Sequence, residues 1–108
     1  MANSYKFKGV ALATGSETAL LTAASDETII IRSIRVTNNT SNTPTISMDV
    51  SDNSASTEYT ILKTQTLAAN TAVEILSVPL VLEASDALKA TINSSDSIHF
   101  GISYMSVT

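Results

Sequence analysis

The residues that most often catalyse reactions or bind metals are scarce in this sequence. His99 is the only histidine, cysteine is absent, and the three glycines are far apart. A Cys–His pair or an all-histidine metal site therefore cannot be built. A serine triad would need His99 to meet a serine, but the chain lacks a G-x-S-x-G nucleophile elbow. We predict a protein that is not an enzyme, with no cofactor, no metal and no small-molecule substrate.

Carboxylates are the remaining candidates for chemistry, and they form three loose groups. These are Asp26 with Glu27, Asp49 with Asp52 and Glu58, and Glu83 with Asp86. Paired carboxylates can hydrolyse glycosides, but in a cleft walled by aromatics, and here Trp is absent and aromatics make up 5%. The stretch DVSDNSASTE offers hard oxygen ligands for calcium, but without the spacing and central glycine of an EF-hand. We interpret it as a solvated hairpin turn.

Charge and hydropathy exclude two classes of partner. The chain has 108 residues, the length of one domain, and a net charge of −4 with only six Lys and Arg. The six are scattered, with no basic stripe to displace phosphate counterions, which argues against nucleic acid. The N-terminal region lacks the apolar core of a signal peptide, and no 18-residue apolar run occurs. We expect no membrane partner and folding in a reducing cytosol.

Short runs of alternating apolar and polar residues recur every eight to twelve residues or so, the spacing of a sandwich or barrel. Ser and Thr are abundant, and both favour strands and turns over helix interiors. We predict an all-β fold, an antiparallel two-sheet β-sandwich of about eight strands, with immunoglobulin-like and jelly-roll connectivity both open. In the strand around Phe100 the alternation points His99 outward. The predicted core is Ile34, Val36, Met48, Leu82, Leu88, Ile92, Phe100 and Ile102.

The stretch IRVTNNTSNTPTISMDV, from Ile34 to Val50, places a polar segment between two alternating runs. Its Asn, Ser, Thr and Pro residues bond their own backbone or fix φ, so they form turns without core contacts. The pattern predicts a β-hairpin whose turn, Asn38 to Thr45, faces solvent or contacts a neighbouring molecule. At the start of the preceding strand Ile29 and Ile31 fall on the parity opposite to Ile30, Ile34 and Val36. This pattern predicts that the start of the strand is covered on both faces.

The order of these motifs resembles a family of small virion proteins of tailed bacteriophages. The resemblance is carried by ETIIIRSIRVTNNTSNTPTISMDV at 27–50, LAANTAVEI at 67–75, VPLVLEASDALKATI at 78–92 and IHFGISYMSV at 98–107. It implies a virion structural protein made in the host cytoplasm, and specifically one that decorates or cements the capsid by binding the major capsid protein. It further implies a homo-oligomer, with a trimer as the expected state. A tail or neck component is the alternative in the same class, and a carbohydrate- or receptor-binding module is the alternative from another class.

Residues 1–9 are more basic and more aromatic than the rest of this acidic chain. They carry Tyr5 and Phe7 on one parity and Lys6 and Lys8 on the other, so they hold a third of the Lys and Arg. One interpretation is an edge strand whose lysines discourage aggregation. The other is a docking strand that adds to a partner's sheet, with the aromatics as anchors and the lysines meeting an acidic surface.

Overall fold

The computed structural model describes residues 2–108, and every regular element in that range is a β-strand. No helix in this range is long and apolar enough to cross a membrane. The nine strands are β1 (Asn3–Leu12), β2 (Thr18–Thr22), β3 (Thr28–Asn38), β4 (Thr45–Asp52), β5 (Thr57–Thr66), β6 (Ala72–Glu74), β7 (Leu80–Leu82), β8 (Ala87–Ile92) and β9 (Ile98–Val107).

The strands form two antiparallel sheets, which confirms the predicted β-sandwich. The β1 sheet has the order β1-β9-β3-β6, with β7 also pairing with β3, and the β4 sheet has the order β2-β8-β4-β5. The strands number nine, against the expected eight or so. Two of them share one position: β6 pairs with Arg35–Thr37 and β7 with Ile29–Ile31, both on the side of β3 away from β9.

With β6 and β7 counted as one interrupted strand, the connectivity is that of a jelly roll. The pairs β1–β9, β2–β8, β3 with β6 and β7, and β4–β5 are nested, as in one long ribbon folded back at its middle. Rolling that ribbon brings β9 beside β3 and β8 beside β4, which completes the two sheets. The immunoglobulin-like alternative is therefore excluded.

The predicted β-hairpin across Asn38–Thr45 is wrong. β3 belongs to the β1 sheet and β4 to the β4 sheet, and the two strands do not pair. The segment crosses from one sheet to the other. Both strands still alternate because each of them faces the same core, so the sequence pattern of a crossover matches that of a hairpin. The hairpin predicted in DVSDNSASTE is confirmed, since Asp52 pairs with Thr57 across the turn.

Asn38 explains how a polar crossover is held at the end of the sandwich. Its side chain is 1% exposed. The amide nitrogen donates to the carbonyl oxygens of Asn42 at 2.8 Å, Leu67 at 3.3 Å and Ala68 at 3.2 Å. Its Oδ1 accepts from the Thr40 backbone N–H at 3.0 Å and hydroxyl at 2.8 Å. One buried amide thus ties the β3–β4 crossover to the β5–β6 turn.

The core between the sheets contains all eight predicted residues, each no more than 2% exposed. A β-bulge at Arg32 explains the parity change in β3: Ile31 pairs with Tyr104 and Ser33 with Ser103, so Arg32 is an extra residue. The bulge turns Ile29, Ile31, Ile34 and Val36 onto one face. The parity that grouped Ile30 with Ile34 is therefore wrong. The remaining apolar core residues are Leu12, Leu20, Leu21, Ala23, Ile46, Leu67, Ala90 and Ile98.

Candidate partner-docking surface

The predicted docking residues lie on β1, the outermost strand of its sheet. β1 pairs with β9 along all ten of its residues, from Asn3 opposite Val107 to Leu12 opposite Ile98. Leu12 is buried and Val10 half-buried, and from Asn3 to Gly9 every residue is exposed. The main-chain groups on the other side of β1 have no strand beside them in the described chain. β1 therefore presents a free edge ten residues long.

The four predicted residues divide between the two faces of β1. Side chains alternate along a strand, so Lys6 and Lys8 share the parity of Leu12, which points toward the core side, while Tyr5 and Phe7 point to the outer face. Tyr5 is 76% exposed and Phe7 is 70% exposed. The two aromatics thus stand on the outside of the sandwich, beside the free edge.

Lys6 lies on the core side of β1, where its charge acts on Glu27. The carboxylate of Glu27 accepts hydrogen bonds from the Ser106 hydroxyl and, at 3.0 Å, from the Ala24 N–H. These bonds, with a contribution from the charge of Lys6, hold the pKa of Glu27 below its usual range. The charge of Lys6 therefore already acts on a carboxylate of its own chain.

The far margin of the other sheet is built differently. β5 shows two register irregularities against β4, and Thr64, with φ of 54°, lies in the one opposite Ile46 and Met48. Bulges twist an edge and interrupt its row of hydrogen-bonding groups, which prevents strand addition. β1 has no such interruption. Of these two long edge strands, only β1 is regular enough to template a partner strand.

A groove lies next to this edge on the outer face of the β1 sheet. It is a concavity of about 530 Å³ lined by residues of β1, β9 and β3, among them Phe7, Gly9, Gly101, Arg35 and His99. Gly9 and Gly101 are directly opposite each other in the β1–β9 ladder. The Phe7 ring leans over both: a Cβ on Gly101 would lie 3.2 Å from the ring, and one on Gly9 3.4 Å from it. The two glycines therefore leave the space that the ring and the groove occupy.

Arg35 stands at the inner end of this groove. It pairs with Gly101 on β9 and with Glu74 on β6. Glu74 directs its carboxylate elsewhere, accepting from the Ser33 hydroxyl, the Ile34 N–H at 2.8 Å and the Leu76 N–H at 3.2 Å. Partial burial raises the pKa of Glu74, but these bonds and the Arg35 charge outweigh it and hold that pKa below its ordinary value. Among residues 2–108, the ion pairs within 4.0 Å are those of Lys89, so Arg35 has none.

The other chemical candidates have structural roles. His99 is exposed on the outer face, as predicted, and lines the groove. Buried Asp86 accepts from the N–H groups of Asn53 and Glu83, both at 2.9 Å, and so closes the end of the sandwich opposite Asn38. Asp52 accepts from Ser54 and Ala55 within its own turn.

The acidic cluster on the β4 sheet surrounds a lysine. Lys89 lies 3.0 Å from Glu58 and 4.0 Å from Glu17. Burial and the Glu58 charge raise the pKa of Glu17, whereas hydrogen bonding to Glu58 raises that of Lys89. Within the part of the chain that the structure describes, no group of three or more His, Cys, Asp or Glu residues could hold a metal ion.

Sequence reasoning missed the groove. Gly9 and Gly101 belong to opposite ends of the chain, and Arg35 comes from a third strand, so no local pattern joins them. The one signal available was the rarity of glycine: two of the three glycines lie inside strands, a position that often marks close approach of a neighbour.

Comparison with known proteins identifies the fold and no family. No family model matches the sequence, and no curated protein matches it. A chain in the structure of infectious bursal disease virus, Gx strain, is similar with a TM-score of 0.61 and 10% identity over 96% of this chain. This chain spans only 32% of that viral chain.

Two further structures share the fold at comparable similarity. One is a chain from Bacillus endospore appendages, described as disulfide-linked pili, with a TM-score of 0.55 and 6% identity, covering 97% of this chain and 84% of the other. The second is the Drosophila NLP core, with a TM-score of 0.55 and 17% identity, covering 94% and 98%. Proteins that use this β-sandwich thus include a viral and an appendage component. The resemblance to tailed-phage virion proteins stays a prediction.

Proposed function

We propose that the chain is a non-enzymatic structural protein of a bacteriophage virion, and specifically a decoration or cement protein that binds the capsid shell through β1. The carrying observation is the regular ten-residue free edge of β1 with Tyr5 and Phe7 exposed beside it. Strand addition to such an edge gains main-chain hydrogen bonds, and the adjacent aromatics supply the apolar anchors. The jelly-roll sandwich supports the proposal, since viral capsid proteins use this architecture.

The alternatives differ in what they require of the surface. A tail or neck component would use the same edge on a different virion protein. A carbohydrate- or receptor-binding module would be favoured by exposed aromatics gathered at one loop end. The exposed aromatics of the described chain lie on strands instead, Tyr5 and Phe7 on β1 and Tyr59 on β5. The structure therefore favours the virion component.

The test uses particles assembled without this protein. Labelled Tyr5→Ser/Phe7→Ser protein is mixed with them and bound protein is measured by sedimentation. Loss of two interface anchors should weaken binding by about tenfold or more. Tyr59→Ser, which removes an exposed aromatic from the other edge strand, is the matched control and should bind like the parent. Deleting residues 1–8 is less informative, since it also removes six pairs with β9.

Equal binding by the double variant and the parent, with the same salt dependence, would show that β1 is only an edge strand. Light scattering on the purified protein tests the trimer expected for the assembled state, which a monomeric mass would contradict. Cryo-electron microscopy of complete particles would separate a capsid position from a tail or neck position.

A further inference from the structure

We propose that the partner which adds a strand to β1 also covers an apolar row on the outer face of the β1 sheet, and that it does so with an uncharged apolar surface of its own. The apolar row consists of Tyr5, Met105, Ile30 and Val81. This inference rests on the proposed function, because it assumes a partner strand at the β1 edge. It adds the extent of the docking surface and the chemistry of the protein that fits it.

The apolar row crosses four strands of the β1 sheet at one level. Met105 on β9 is the register partner of both Tyr5 on β1 and Ile30 on β3. Ile30 in turn pairs with Val81 on β7. Each of the four is flanked in its own strand by a residue on the core side, so all four side chains stand on the outer face. Because neighbouring strands are about 4.8 Å apart, the row is about 14 Å long.

The sequence at the start of β3 is that of a strand covered on both faces. Ile29, Ile30 and Ile31 are consecutive, and an unbroken apolar run of this kind is typical of strands buried on two sides. The structure confirms only the inner side: Ile29 and Ile31 are at most 1% exposed, whereas Ile30 on the outer face is half-buried. Val81 beside it is exposed. The outer side of the run therefore lacks part of the cover that its sequence predicts, and a bound partner supplies it.

The surroundings of the apolar row are uncharged. The register rows on either side of it, across β1, β9 and β3, are Asn3–Val107–Thr28 and Phe7–Ser103–Ser33. Exposed charges stand at the margin, with Arg32 in the β3 bulge and Glu83 after the end of β7. The buried centre of a protein interface is likewise depleted in charged residues, and its rim is polar. The surface that fits the row is therefore apolar and uncharged at its centre.

The area that an interface needs indicates that the occupant is the partner bound at β1. A stable interface buries about 800 Å² on each partner. An aromatic side chain buries about 150–250 Å², so Tyr5 and Phe7, 76% and 70% exposed, together supply on the order of 300 Å². Strand addition at the edge supplies hydrogen bonds more than apolar area. The row continues inward from Tyr5 across the sheet, so the partner gains the remaining area by extending over it.

The test uses single cysteines as reporters of which surface is covered, since the chain has none of its own. Val81→Cys lies in the row. Val73→Cys, on β6 of the same sheet, is the matched control, with the parent valines 52% and 40% exposed. Each full-length variant is bound to particles assembled without this protein and treated with iodoacetamide. Because thiol reactivity depends on access, binding should slow alkylation at position 81 by about tenfold or more and leave position 73 unchanged.

A second pair of variants measures what the row contributes to affinity. Ile30→Thr/Val81→Thr keeps β-branched side chains suited to a strand but removes apolar surface, and it should weaken particle binding in sedimentation by about tenfold. Ile61→Thr/Val73→Thr makes the same exchanges at two exposed positions outside the row, and it should bind like the parent.

Equal alkylation rates at position 81 in free and bound protein, or equal binding by the two double variants, would overturn the inference. Protection of position 81 that grows with protein concentration in the absence of particles would also overturn it, in favour of a second copy of this chain. The proposed function fails if Tyr5→Ser/Phe7→Ser retains binding. If that variant loses binding while position 81 stays reactive on the particle, the inference about the apolar row alone fails.

Discussion

Replacing Asn38 with Asp should strongly destabilise the protein, although it exchanges only the amide group of the side chain for a carboxylate of the same shape. The substitution keeps the shape of the side chain but replaces the amide nitrogen, which donates to three carbonyl oxygens, with an oxygen that cannot donate when ionised. The contacts with Thr40 can persist, because the remaining oxygen still accepts. The effect therefore isolates the donors.

The magnitude follows from the burial of these groups. A buried polar group that loses its partner costs about 1–3 kcal/mol, and a charged one costs more. The NH₂ group has two protons, so two bonds are lost in full and a carboxylate is brought against carbonyl oxygens. We expect a loss of about 4–5 kcal/mol at pH 7, a large fraction of the ~5–15 kcal/mol that stabilises a typical domain. Asn38→Ala, which leaves the carbonyls unpaired without adding charge, should cost about 2–4 kcal/mol.

The loss of stability in Asn38→Asp depends on pH. Burial beside carbonyl oxygens favours the neutral acid, so the pKa of the introduced carboxyl lies above its unfolded value of about 3.9. The folded state then binds more protons, and stability falls as pH rises through the folded pKa. The deficit relative to the parent should be largest at pH 7 and smaller near pH 4, where one O–H can donate.

The assay is urea unfolding of the parent and the variants at both pH values. Asn39→Asp is the matched control: the same chemistry one residue later, at an exposed side chain, where the change should stay within about 0.5 kcal/mol. Similar losses at positions 38 and 39, or a deficit that does not shrink at low pH, would refute the role assigned to the Asn38 amide.

Three further changes test the packing, the backbone and the electrostatics. Phe100→Ala should cost about 3–5 kcal/mol in urea unfolding, against under about 0.5 for Thr37→Ala on the outer face of β3, and comparable losses would mean that the faces are wrongly assigned. Thr64→Gly should stabilise by about 0.5–1 kcal/mol because it relieves a β-branched residue at φ 54°; Thr66→Gly in the same strand should instead destabilise, and a loss at both positions would exclude strain at Thr64. The pKa of Glu74 is lowered from about 4.5, so the stability that its carboxylate contributes is present above that pH and is lost as pH falls through the folded pKa. The difference in unfolding free energy between the parent and Glu74→Gln should therefore narrow between about pH 7 and pH 3. A constant difference would contradict the role of the Glu74 carboxylate.

The fold class could be predicted from local pattern, and the connectivity could not. Alternation at Ile98–Tyr104 and Ile46–Val50 identified the strands and their buried face, because one side of each strand contacts the core. The crossover at Asn38–Thr45 was mistaken for a hairpin because both arrangements have the same alternation. The bulge at Arg32 depends on how β3 pairs with β9, and these strands are far apart in sequence: Ile34 and its partner Ile102 are 68 positions apart. Local periodicity carries no record of that pairing.

The candidate docking surface could likewise be predicted only where it is local in sequence. Tyr5, Phe7 and the two lysines were visible as a local cluster, and the sequence placed them on alternate faces. The groove required Gly9, Gly101 and Arg35 to meet, and three strands from distant parts of the chain bring them together. Only the rolled ribbon, which lays β9 between β1 and β3, makes these residues neighbours.

The jelly-roll connectivity also explains why β1 is the candidate docking edge. The two sheets have four edges, formed by β1, by β6 with β7, by β2 and by β5, and of these strands only β1 and β5 are ten residues long. β5 is interrupted twice and contains a residue at positive φ, features that prevent a strand from adding to it. β1 keeps an unbroken register over ten residues and exposes two aromatic rings. It has no bulge of the kind that prevents strand addition to β5. A long edge left open in a chain that interrupts its other long edge is the geometry expected of a surface that another protein covers.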